Sequence, residues 1–158
     1  MNYNPRIYIE TTIFNRYFEE EREYSVESKR LFEKIAAGEV TAFTSTAVIK
    51  ELEQAPEPKR SQMLKLVTTY NIRVWEVEQE AEDLADLYIA AGIIPTRFWL
   101  DGVHIAMAAT NDVDCIISLN FKHINRLKTK TATEAINRLR GYASPFICTP
   151  MEVIYDDN

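Results

Sequence analysis

The sequence predicts an α/β domain of three layers, with a mainly parallel central sheet flanked by helices. Three observations carry this expectation. Short apolar, β-prone runs recur at residues 6–9, 40–44, 72–75 and 115–119. Between them lie longer stretches whose apolar residues fall three and four apart, the period of an amphipathic helix. Parallel neighbours need crossovers of roughly a dozen residues or more, and these stretches are long enough to supply them.

Taken in order, the first strand, 6–9, ends at Glu10-Thr11-Thr12. Phe14, Tyr17 and Phe18 then follow at helical spacing. With Tyr3 and Tyr8 they are aromatics able to stack on bases, but core or a dimer interface is the simpler expectation. The acidic run 19–23 is expected as a solvated helix end and loop. Leu31, Phe32 and Ile35 mark a helix over 27–37. The strand 40–44 leads through Ser45-Thr46 into a helix over 46–54, with Val48, Ile49 and Leu52 on its apolar face. Pro56 and Pro58 are the strongest break in the chain, inside a helical region. Beyond the strand 72–75, Leu84, Leu87 and Tyr88 predict a helix over 81–91, and Val103, Ala106 and Met107 one over 100–109. After the strand 115–119 comes a basic helical stretch, and Phe146-Ile147 supplies a short fifth strand.

Composition bounds the function classes. With 158 residues, 46% hydrophobic and 27% charged, the chain fits one domain over 1–158, and disorder, collagen-like repeats and coiled coil are excluded. Cys115 and Cys148 have no zinc or redox spacing and are expected as reduced thiols. Only four glycines occur, and neither G-x-G-x-x-G nor a P-loop is present, which removes the main support for dinucleotide or P-loop phosphate binding. No apolar stretch approaches the roughly 18 residues of a membrane span. The opening MNYNPRIYIE lacks the apolar run of a signal peptide, so a cytoplasmic protein is expected.

Parallel sheets place ligand sites beyond the carboxyl ends of their strands. There the sequence sets Glu10 after the first strand, Glu51 on the helix after the second, Asp101 opening the helix 100–109, and Asn120 after the last long strand. Each has an ordinary structural role available: helix cap, solvated helix residue, helix cap and turn former respectively. Together they gather three carboxylates and an amide with no cationic partner in sight. Like charges held close need a divalent cation, and hard oxygen ligands suit magnesium or manganese. Such a site performs metal-assisted phosphodiester hydrolysis. His104 shares a helical face with Asp101 but is expected as a satisfied packing histidine, and His123 as a solvated loop residue.

The segments YIETTIF, TSTAVIKELE, LDGVHIAMAA and DCIISLNFKHI together resemble the four signature segments of PIN domains, and the likeness runs on through ICTPMEVI. The block from 101 to 124 is the most specific and is similar to VapC-like toxin ribonucleases. This resemblance implies a small α/β nuclease that cuts RNA with acidic residues around Mg2+ or Mn2+. It also implies an antitoxin protein as partner and a homodimer. Carried over by position, Glu10, Glu51, Asp101 and Asn120 become the metal ligands and catalytic residues, with Thr12 supporting them through its hydroxyl. Two positions depart from the family pattern: Glu10 stands where Asp is commonest, and neutral Asn120 where Asp is frequent. They motivate a second reading, a catalytically weakened PIN fold that binds RNA or a protein. A phospho-accepting receiver domain fits less well, because the acidic pair after the first strand and the late Lys are missing.

The net charge of −6 counts against a general nucleic-acid binder, yet it is an average. Between 121 and 141 stand Lys122, Arg126, Lys128, Lys130, Arg138 and Arg140 against Glu134 alone. Lys122, Arg126, Lys128 and Lys130, beginning beside Asn120, are the candidate contacts for an RNA backbone.

Overall fold

Five short strands, all paired in parallel, form one sheet in the order β3-β2-β1-β4-β5. The computed structural model describes residues 3–155; the ends of the expected 1–158 domain, residues 1–2 and 156–158, lie outside them. β1 (Arg6–Ile9) takes the centre, as its buried Ile7, Tyr8 and Ile9 require. Two helices, α1 (Thr11–Tyr17) and α2 (Ser25–Ala36), carry the chain to β2 (Thr41–Ser45), and α3 (Thr46–Glu53) and α4 (Lys59–Thr69) carry it on to β3 (Arg73–Trp75). The chain then returns through α5 (Gln79–Ala90), a 3-10 turn (Thr96–Phe98) and α6 (Trp99–Thr110) to β4 (Cys115–Ile117) on the other side of β1. The last crossover, α7 (Leu127–Leu139), leads to the edge strand β5 (Phe146–Cys148) and α8 (Met151–Ile154).

Growth in two directions from β1 splits the helices into two layers, because right-handed crossovers running in opposite directions cover opposite faces. Their contacts divide accordingly: α1, α2, α4 and α8 associate on one side, α5, α6 and α7 on the other, and α3 touches both groups. On the first side Phe14 meets Phe32 edge-on, and Tyr17 and Tyr70 also pack on Phe32, so these aromatics serve the interior rather than bases. On the second, α6 is buried along its whole length from Gly102 to Ala109, as an apolar helix between a sheet and other helices must be.

The observed elements differ from the expected ones mainly at their ends. Ser45 belongs to β2, pairing with Trp75, while its hydroxyl accepts from Ala47 N and caps α3. β4 stops at Ile117, and α6 starts at Trp99, so Asp101 sits in the first turn rather than at the cap. Two helices, α4 beyond the prolines and the short α8, have no bounds in the periodicity. Cys115 and Cys148 are free thiols, as expected. No described helix is long and apolar enough to cross a membrane.

Gly102 lies inside α6 without a steric reason to be glycine. A Cβ there meets Ala85 and Ile94 at 3.6–3.7 Å, ordinary contact distances. Gly102→Ala is therefore expected to stabilise the protein by about 0.5–1 kcal/mol, the usual helix-interior gain, read as a higher urea midpoint at unchanged slope.

Candidate active site

The strand order switches where β1 sends its chain one way to β2 while β4 joins from the other side, the point at which open α/β sheets have their ligand crevice. Glu10 enters it directly from β1. Its backbone N–H still bonds Ile117 O, while its carboxylate turns back to accept from Thr12 N at 3.2 Å and caps α1. The same Oε1 accepts the Thr12 hydroxyl at 2.5 Å and the Ser118 hydroxyl at 2.8 Å. Thr12 Oγ1 in turn accepts from Leu119 N at 2.8 Å, tying the end of β4 to α1. The cap role and a site role thus coexist in one side chain. Glu10 is only 2% exposed, and its pKa is raised because burial outweighs the neighbouring His104 and the hydroxyls; the Glu51 charge adds to the rise.

Glu51 projects from α3 and is half-buried. Its Oε1 accepts from Thr11 Oγ1 at 2.8 Å and lies 2.5 Å from His104 Nε2. Burial pushes its pKa up, but the His104 bond and charge and the Thr11 hydroxyl outweigh it, and the net shift is downward. Asp101 Oδ2 lies 2.9 Å from His123 Nδ1. Here burial prevails over His104 and His123, and the carboxyl is raised.

The two histidines correct the sequence expectation of carboxylates without a cationic partner. His104 is fully buried and satisfied, as expected of a packing histidine, yet its partners are Glu51 and Tyr8. Burial lowers its proton affinity, and the carboxylates of Glu51, Glu10 and Asp101 more than restore it. His123 is not a solvated loop residue. It is buried, holds Asp101 and lies against the Phe98 ring at 4.1 Å between centroids. The histidine spacing from Asp101 was visible in the sequence; that α3 sets Glu51 against His104 was not. Ser118, Tyr8 and Ser45 left no signal beyond an alternation of polar and apolar residues.

Asn120 forms the turn after β4. Its Oδ1 accepts from His123 N at 3.0 Å and its own N–H reaches Ser118 Oγ. It is thus joined to Glu10 through Ser118 and to Asp101 through His123. The basic candidates separate: Lys122 is exposed and stands 6.0 Å from the Phe98 ring, at the rim of the crevice, beside Arg97 on the same ring. Lys128 is exposed on α7 and Lys130 half-buried. Arg126 is half-buried and engaged with Ile93 O and Thr129 Oγ1, a tie between α7 and the loop before the 3-10 turn.

Each of the three carboxylates binds its neighbours through one oxygen. No hydrogen bond among the described residues reaches Glu10 Oε2, Glu51 Oε2 or Asp101 Oδ1. Hard oxygens left over on mutually repelling carboxylates are the donor chemistry of a divalent cation. The set is not closed in advance, however: among the described residues no group of three or more His, Cys, Asp or Glu side chains is placed to hold a metal ion. Glu51 and Asp101 are held by histidines instead.

No protein-family model matches the chain, and a comparison with curated proteins finds no match. Among solved structures the chain is similar to Mycobacterium tuberculosis VapC20, described as a Sarcin-Ricin loop cleaving toxin. The TM-score is 0.54 at 12% identity, over 87% of this chain and 96% of that one. The fold is PIN-like. In this PIN-like fold Glu10 follows β1 at the switch of strand order, Glu51 stands on the helix after β2, and Asp101 in the first turn of the helix that leads to β4.

Proposed function

We propose that the protein is a PIN-type endoribonuclease dependent on Mg2+ or Mn2+, the toxin component of a toxin–antitoxin pair. The observation that carries this is the trio of carboxylates at the switch point, each with one oxygen left unbonded by the protein. Glu10, Glu51 and Asp101 would hold the cation, with the Asn120 amide as the fourth, neutral group. When bound, the ion supplies charge neutralisation at the scissile phosphate and acidifies water.

The chain's own residues do the rest. Glu10 is fixed by three hydrogen bonds and cannot swing, so it sets the floor of the site. Glu51 and Asp101 are the two candidates for orienting or deprotonating the attacking water in line with the leaving oxygen. His123 orients Asp101, and Lys122 meets the RNA backbone at the rim. The antitoxin, homodimer and cytoplasmic expectations belong to the same reading; co-purification with the product of the neighbouring reading frame and light scattering test the first two.

The deciding experiment is cleavage of RNA by the purified protein with Mn2+ or Mg2+ against the same protein in chelator. Cleavage only with the metal is the expected result; cleavage unaffected by chelator overturns the reading. Lys122→Ala is expected to weaken RNA binding evenly across sequences and to reduce the slope of log K on log salt by about 0.7, the single-strand value for one phosphate contact. Fluorescence anisotropy across a salt series checks it.

A further inference from the structure

The turn after β4 sends consecutive side chains in different directions. Asn120 Oδ1 accepts from His123 N, the His123 ring holds Asp101, Lys122 reaches the Phe98 ring, and Phe121 meets the ring of Tyr24. The centroids of Tyr24 and Phe121 are 5.8 Å apart, with the planes tilted by 43°. Tyr24 is half-buried and packs on the core, whereas Phe121 is 46% exposed. A large apolar ring thus stands open to solvent one position from Asn120 and two from His123.

Local structure gives Tyr24 no reason to be tyrosine. Its φ of 70° lies in the left-handed region that favours glycine or asparagine, and it precedes α2 without a capping side-chain bond. What tyrosine supplies there is a ring on which Phe121 rests. Charge divides the surroundings of the turn. Toward Phe98, the Arg97 guanidinium lies 4.8 Å and the Lys122 ammonium 6.0 Å from the ring centroid, and neither joins an ion pair among the described residues. Toward Tyr24, the preceding loop exposes Glu21 and Glu23, and Arg22 between them is paired with Glu19. Phosphate is therefore drawn to the first side and repelled from the second, where an uncharged base fits the open ring.

We propose that Phe121, backed by Tyr24, is a stacking platform for one unpaired base of an RNA strand whose backbone lies along Lys122 and Arg97. This rests on the reading of the protein as a ribonuclease and narrows its substrate class to RNA with an unpaired nucleotide beside the phosphate to be cut. A base inside an A-form duplex is stacked on its neighbours and cannot turn its face to a side chain, whereas an unpaired base can. Every base has a stacking face, so the platform selects the state of the strand and tolerates its sequence.

The test is fluorescence anisotropy of labelled RNA with the full chain, in chelator so that the strand stays whole. The probes are a short unpaired strand, the same strand annealed to its complement, and the same strand built with abasic residues. Phe121→Ala is expected to weaken binding of the unpaired strand about tenfold. Unlike Lys122→Ala, it is expected to leave the salt slope unchanged, because stacking releases no counterions. Binding of the duplex and of the abasic strand is expected to stay as in the wild type. Phe121→Trp is expected to keep the affinity, and Phe121→Leu to lose it as alanine does, since leucine fills the space on Tyr24 without a stacking face. Equal losses on intact and abasic strands, or leucine as good as phenylalanine, overturn the platform. Wild-type protein that binds none of the probes overturns the RNA reading, and the platform with it; unpaired-strand binding undiminished by Phe121→Ala overturns the platform alone.

Discussion

Asp101→Ala is expected to lower metal-dependent RNA cleavage by about 10²–10³-fold, the usual cost of removing one preorganised charge from a reacting centre. Three losses coincide in this one side chain. On the proposed mechanism a ligand oxygen goes, a candidate acceptor for the water proton goes, and His123 loses the carboxylate that it holds at 2.9 Å. Stability is expected to change little by comparison. Asp101 lies in the first turn of α6, where its charge favours the helix modestly, and alanine is the better helix former. Single-turnover cleavage of a labelled RNA, with thermal unfolding alongside, separates loss of chemistry from loss of fold. A variant as active as the wild type removes Asp101 from the mechanism. Equal background rates in both proteins favour the second reading, a PIN fold that binds RNA or protein without cutting.

Glu10→Gln is expected to act in opposite directions on stability and on metal response. Glutamine keeps an Oε1 to accept from Thr12 and Ser118 but removes a buried charge, so in chelator the variant melts higher than the wild type. With Mn2+ at a hundred times its dissociation constant, the wild type gains about 2.7 kcal/mol. In a chain of this size that raises Tm by about 5–11 °C. The variant is expected to lose most of that gain, which scanning calorimetry with and without Mn2+ measures directly. The pH dependence has a definite sign. Burial raises the Glu10 pKa in the folded state. Its contribution is therefore fully present below the ordinary glutamate pKa and is lost as pH rises through the raised folded value. The chelated wild type loses stability over that window, and the glutamine variant loses less. An unaltered Mn2+ response in Glu10→Gln excludes Glu10 as a ligand.

Much of the fold was legible because it is written in local periodicity. The runs at 6–9 and 115–119 and the helical faces of α2, α3, α5 and α6 are patterns of apolar spacing, and burial on a sheet enforces those patterns residue by residue. Boundaries blurred where one residue serves two elements. Ser45 is both the last residue of β2 and the cap of α3, and Glu10 leaves β1 while capping α1. α4 carries few buried residues, chiefly Met63, Leu66 and Val67, so its period is faint.

The candidate site divides along the same line. Glu10 and Asn120 stand just after strands, Glu51 on the helix that follows β2, and Asp101 in the first turn of the helix that leads to β4, near the strand ends where a parallel sheet has its ligand site. Their electrostatic surroundings were not legible. His104 meets Glu51 across 53 positions and Tyr8 across 96, and His123 meets Asp101 across 22. Those meetings depend on how α6 lies over β1 and β2 and on how the turn after β4 folds back. No spacing along the chain encodes such rotations and offsets, because they are settled by the packing of whole elements against one another. Residue type and order were enough to identify a parallel α/β chain with acidic strand ends. Which histidine binds which carboxylate, which oxygen stays open, and that Arg126 is engaged in the fold while Lys122 stands at the rim, came from the long-range packing.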